Sequence, residues 1–118
     1  MPRNMSFSLT TEQIRNRTKT VTRRKGWEFL KAGDVVNACV KCMGLKPGES
    51  IERLCQIRIV DVRREPLHWI ERPPDFGMAE CEREGFPGMT GMQFVDMFCE
   101  HMDCHPADEI TRIEFEYV

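Results

Sequence analysis

Lys19, Thr22, Arg23 and Arg24 fall within six positions of one another, and together they suit nucleophilic or anion-binding chemistry. A threonine hydroxyl is a poor nucleophile unless a base removes its proton or a cation stabilises the charge that develops. A lysine can do either job once burial lowers its pKa, whereas an exposed lysine stays protonated near neutral pH. Lys19 and Thr22 are three apart, so they share a face on a helical turn and point oppositely on a straight strand. A common site therefore needs a bend between them, and a phosphate-binding patch is an equally open reading.

These residues belong to RNRTKTVTRRK, residues 15 to 25, which holds six basic side chains and no acidic one. Residues 13 to 27 carry +6 in a chain of net charge −2, so the remainder carries −8. A basic island on an acidic body localises a bound anion, which a uniformly basic surface does not do. The alternative is a solvated surface segment with no partner.

Glu84 is placed against local preference. It falls in the last turn of a helix expected over residues 75 to 84, where the dipole disfavours a carboxylate by roughly 0.3–1 kcal/mol. Glu80, one turn earlier, adds like-charge repulsion. Either a site tolerates this misfit, or Glu84 pairs with a neighbour such as Arg83 at a solvated helix end.

Among the six cysteines, Cys39-x-x-Cys42 has the spacing of half a zinc site. Cys99, His101 and Cys104 could supply the other half of a structural zinc site. The opposing reading takes them as small core residues, since both pairs adjoin apolar runs; no metal or cofactor is then expected. Trp27 and Trp69 lie in expected turns and could stack a base, or serve as core or lid residues.

The 118 residues bound a single domain, 1–118, with 41% hydrophobic and 31% charged residues, the balance of an ordinary globular protein. No apolar run approaches the roughly 20 residues of a membrane span, and no signal-peptide core is evident. A cytoplasmic protein with reduced thiols is expected, without membrane or protein partners.

The elements that must position these residues follow from pattern. Thr10 with Gln13 suggests a capping box opening a short helix, and Thr18 to Arg23 reads as extended chain. Strands are expected over Asp34–Cys42 and Ile51–Arg64, the second slipping register after Ile59 as a bulge would require. Pro66 to Glu71 suits a helical turn. Asp75 is expected to cap the helix that Gly85 ends, and Thr90 with Gln93 to cap another that carries Met92, Val95, Phe98, Cys99 and Met102 on its apolar face. In TRIEFEYV, residues Ile113, Phe115 and Tyr117 alternate inward against Arg112, Glu114 and Glu116. The fold class is α+β: a small curled barrel, mainly antiparallel, with helices over its ends.

At the basic stretch the sequence resembles the ASCH family, related in fold to PUA domains. The family pattern runs glycine, any residue, lysine, then arginine five positions on; Lys19 and Arg24 match, and Arg17 stands at the glycine. The LKAGD loop and the closing strand RIEFEYV extend the resemblance to small ASCH proteins of bacteria and their phages. It implies a PUA-like β-barrel that binds RNA or a nucleotide- or nucleoside-like ligand in a basic cleft. Arg24, Arg23, Arg17 and Trp27 would contact that ligand, with Arg23 and Arg17 towards its rim. The N4-acetylcytidine amidohydrolases are similar at further positions, and this implies Lys19, Thr22 and Glu84 as catalytic residues for cleavage of an acyl amide.

Overall fold

The computed structural model describes residues 2–118. Five strands form one mixed sheet: β1 (Arg3–Ser6), β2 (Val21–Arg24), β3 (Val35–Cys39), β4 (Arg53–Pro66) and β5 (Glu109–Tyr117), in the order β1-β3-β4-β5-β2. β1 runs parallel to β3, and every other pairing is antiparallel. The sheet curls into a half-barrel. β1 and β2 are its two edges and do not pair with each other, so the small curled barrel expected takes the form of an open half-barrel. The helices are α1 (Thr11–Arg15), α2 (Pro74–Glu84) and α3 (Gly91–Met102), with a 3-10 turn at Leu67–Glu71.

The long strand β4 curls because it carries a bulge. Ile59 pairs with Phe115 and Asp61 with Glu114, leaving Val60 without a partner and exposed. An extra residue on one strand bends it and sharpens its twist. On β5 the alternation holds on one face only. Ile113 and Phe115 are buried, but Arg112, expected outward, is 3% exposed, with Thr111 fully buried beside it. Helices cover the second face at that end of the strand, so a period-2 pattern does not report the burial of its polar members.

Helix ends show where local chemistry prevails and where tertiary contacts do. At α3 both halves of the Thr90–Gln93 capping box form: Gln93 N donates to Thr90 Oγ1 at 3.2 Å and Thr90 N to Gln93 Oε1 at 2.9 Å. Phe94, Val95 and Phe98 are its buried face, while Met92 and Met102 are exposed, contrary to expectation. The box expected at Thr10 is absent; Gln13 Nε2 donates instead to Gly85 O at 3.0 Å. That bond ties α1 to the end of α2, where Gly85 has φ 101°, the left-handed conformation that glycine adopts most cheaply. Pro74, not Asp75, opens α2, with Pro73 at the cap position.

Two apolar clusters fill the molecule. One lies inside the curl, around Met5, Phe7, Ile57, Ile59 and Phe115. The other, around Leu67, Ile70, Cys81, Phe94 and Phe98, lies where the 3-10 turn, α2 and α3 pack on the far end of β4 and β5. The basic segment runs along the seam between them.

Candidate functional site

Lys19 enters the seam through a sharp bend. Arg17 takes a left-handed φ of 62°, and Lys19 precedes β2. One side-chain and one backbone hydrogen bond clamp the bend: Tyr117 Oη donates to Lys19 O at 2.6 Å, and Thr20 N to Arg83 O at 2.8 Å. This is the bend that brings two residues three apart onto one site. Lys19 and Thr22 both line a cavity of about 200 Å³, together with Arg23, Arg24 and Glu84.

Glu84 is buried, and its pairing explains its place. Lys19 Nζ donates to Glu84 Oε1 at 2.9 Å and to Glu84 O at 2.6 Å. One ammonium thus satisfies both the carboxylate and a terminal carbonyl of α2, which suits a cation at a helix C-terminus. Arg23 Nη1 donates to Glu84 Oε2 at 3.0 Å, and Arg23 Nη2 to Glu80 Oε1 at 2.6 Å. Glu80 in turn takes a fork from Arg112, at 2.7 Å and 3.1 Å. A buried relay Lys19–Glu84–Arg23–Glu80–Arg112 therefore joins the start of β2, the end of α2 and the middle of β5. Charges withdrawn from water persist only when paired and hydrogen-bonded in this way.

The environments tune the titrating groups. Burial pushes the Lys19 ammonium below its usual value, against the opposing pull of Glu84. Burial likewise lowers the Arg24 guanidinium, to about 10. For Glu80, burial alone would raise the carboxyl; the hydrogen bonds from Arg112 and Arg23 outweigh it and hold the group at about 2.

Arg24 is aimed differently from Arg23. Its guanidinium lies 4.6 Å from the Phe7 ring centroid, and its Nε donates to Thr22 Oγ1 at 3.1 Å. Apolar walls complete the cavity: Phe7 comes from the first cluster and Phe94 and Phe98 from the second, with Phe86 alongside. Polar groups converging on an aromatic cavity are the usual composition of a small-molecule site. A hydroxyl accepting from a guanidinium, beside an ammonium of lowered pKa, can stabilise or transfer charge at a bound carbonyl.

Of the residues expected to face a ligand, Lys19, Thr22, Arg24 and Glu84 converge on the cavity. Arg23 lines it too, but it is no rim residue: its side chain is fully buried and both Nη atoms donate to carboxylates, while Nε has no partner. Arg17 and Trp27 lie outside. Arg17 is exposed with its guanidinium 5.4 Å from the Tyr117 ring centroid, and Trp27 packs against the first apolar cluster beside Phe29. Glu80 and Arg112 escaped the sequence reading. The one available hint was the like-charge spacing of Glu80 and Glu84, which requires cations from elsewhere. Among the described residues no three His, Cys, Asp or Glu side chains gather to hold a metal. Cys99 Sγ lies 3.9 Å from Cys104 Sγ beside the second cluster, while Cys39 and Cys42 are at the end of β3. No helix among the described residues is long and apolar enough to cross a membrane.

No protein-family model matches the sequence, and no curated protein does. Among solved structures, the chain is similar to the crystal structure of protein EF3133 from Enterococcus faecalis V583, described with the family model DUF984. The TM-score is 0.62 at 16% identity, covering 100% of this chain and 80% of that one. At that identity the similarity shows a shared α+β fold.

Proposed function

We propose that the protein is an ASCH-type, PUA-like domain that binds a nucleoside-like ligand, one base at a time, in the cavity beside Lys19. The observation that carries this reading is the convergence of Lys19, Thr22, Arg24 and Glu84 on one aromatic cavity. At about 200 Å³ it is smaller than the roughly 300–1,000 Å³ of drug-sized sites, so it takes a single ring rather than a strand. Phe7, Phe86 and Phe94 offer ring faces and edges, and Thr22 and Arg24 offer donors that can read the edge of a base. Arg23 Nε, the only buried side-chain polar atom without a partner among the described residues, belongs to the same wall. A ligand carbonyl would supply the missing acceptor. The left-handed φ at Arg17 also suits the position where the ASCH pattern has glycine.

Calorimetric titration with cytidine and N4-acetylcytidine tests the reading. Binding is expected, weakened about tenfold or more by Arg24→Ala, the loss appropriate to a charged hydrogen-bond donor. If the wild-type protein takes up neither compound, the nucleoside reading is wrong.

Amide hydrolysis is the second reading, favoured by the lowered Lys19 pKa and by the bond from Arg24 Nε to Thr22 Oγ1. Thr22 Oγ1 would attack the acyl carbonyl as Lys19 relays its proton to the leaving amine. Water would then release the carboxylic acid and restore the threonine. Chromatography of N4-acetylcytidine incubated with the protein should show cytidine, and Lys19→Ala should abolish it. Equal cytidine from wild type and variant would end this reading.

A further inference from the structure

A second concavity lies on the outer side of the relay. It measures about 470 Å³ and is lined by Arg63, Arg64, His68, Trp69, Arg72 and Phe76, with Glu65 at its base. It shares no lining residue with the Lys19 cavity. Trp69 is 55% exposed and Phe76 38%, so two large aromatic side chains face water in one groove. Solitary exposed apolar residues need no explanation, but a tryptophan and a phenylalanine among three arginines form a patch of definite chemistry.

The charges favour an anion. Arg72 has no ion pair among the described residues. Arg63 reaches Asp61 at 3.4 Å, and Arg64 reaches Glu28 at 3.3 Å and Glu109 at 3.4 Å. These contacts are exposed and weak, so incoming phosphates can displace them. Glu65, the one carboxylate in the lining, is already engaged: Arg63 lies 3.8 Å from one oxygen and Arg23 3.7 Å from the other. The groove thus offers an aromatic platform flanked by guanidinium groups on a protein whose net charge is −2. Single-stranded nucleic acid has the complementary chemistry, since a base stacks on the ring while its flanking phosphates meet the arginines. A purely apolar peptide would leave the arginines unmatched, and an acidic peptide would leave the rings unused.

We infer that this groove is a docking site for single-stranded nucleic acid, with Trp69 stacking a base and Arg63, Arg64 and Arg72 holding the flanking phosphates. The Glu65–Arg23 contact links the groove to the Lys19 cavity through one side chain on each side. A strand held in the groove would therefore lie next to the site that accepts a single base.

Fluorescence anisotropy of a short fluorescein-labelled oligouridylate tests the inference on the full-length protein. Binding is expected at low salt, falling steeply as salt rises. Trp69→Ala should weaken it about tenfold, and Trp69→Phe should restore most of the loss. Arg72→Ala should also weaken it and should flatten the salt dependence by about one phosphate contact. Both side chains are exposed, so circular dichroism should show the variants folded. Excess cytidine, too small to span the groove's phosphate contacts, should leave strand binding unchanged, which separates this site from the cavity. Absence of binding at low salt overturns the inference, as does binding that neither Trp69→Ala nor Arg72→Ala alters. Equally effective competition by an acidic peptide, indifferent to Trp69→Ala, would identify a protein-docking surface instead.

Discussion

At the scale of single residues, Glu84 is held against its own helix dipole by two cations brought from the other end of the chain. Removing one partner of such a buried pair leaves the other charges unpaired, at a cost of about 3–5 kcal/mol. Glu84→Ala should therefore lower stability by about that much in urea unfolding. A loss near zero would mean that the pair is hydrated and open. Lys19 carries a pH signature as well. Because burial lowers its pKa, it loses its proton at lower pH in the folded protein than an exposed lysine does. If it relays protons in amide cleavage, turnover should climb with pH and level off below the ordinary lysine value of 10.5. A limb centred at or above that value would assign the proton transfer elsewhere. Lys19, Thr22 and Glu84 were legible in the sequence because type, spacing and a local misfit marked them. Arg23 was marked as well, but its role was not, because sequence shows its charge and not its carboxylates, which lie 57 and 61 positions away.

Secondary-structure elements are locked together by the same charges. Glu80 on α2 receives Arg23 from β2 and Arg112 from β5, so one carboxylate clamps a helix to two strands. Its folded pKa of about 2 lies below the ordinary 4.5, so its stabilisation is complete above 4.5 and is lost as pH falls towards 2. The contribution is on the order of 3 kcal/mol. Glu80→Gln should remove much of the acid sensitivity of unfolding in that range; an unchanged acid limb would refute the clamp. Gly91 performs an apolar counterpart. A Cβ there would strike the Ile70 carbonyl oxygen and lie 2.8 Å from Glu71 Cα. Gly91→Ala should cost about 1–3 kcal/mol by wedging α3 from the 3-10 turn, readable as a fall in Tm. Most elements could be read from caps, turns and periodicity. β1 could not: it is four residues long, half of them Arg3 and Asn4 at an exposed edge, and its partner β3 lies 33 positions away. The face of β5 that buries Arg112 was also illegible, since alternation records which residues are apolar, not what covers the polar ones.

Across the whole molecule, two cores meet along a seam, and the basic segment and the cavity occupy it. The formal charge asymmetry visible in the sequence thus divides by depth: Lys19 and Arg23 are internal, Arg24 is half-buried, and Arg15, Arg17 and Lys25 stay exposed. The two proposed ligands should respond differently to ionic strength. A neutral nucleoside in the cavity should bind almost independently of salt, whereas a strand in the outer groove should not.

The most direct test of the cavity is a titration of nitrogen-15-labelled protein with N4-acetylcytidine, followed by amide chemical shifts. The expected result is saturable shifts at Thr10, Thr22, Arg24 and Phe94, strongly reduced in the Arg24→Ala protein, with Trp69 and Phe76 unmoved. Shifts confined to Trp69 and its neighbours, or none at millimolar ligand, would contradict a nucleoside site beside Lys19.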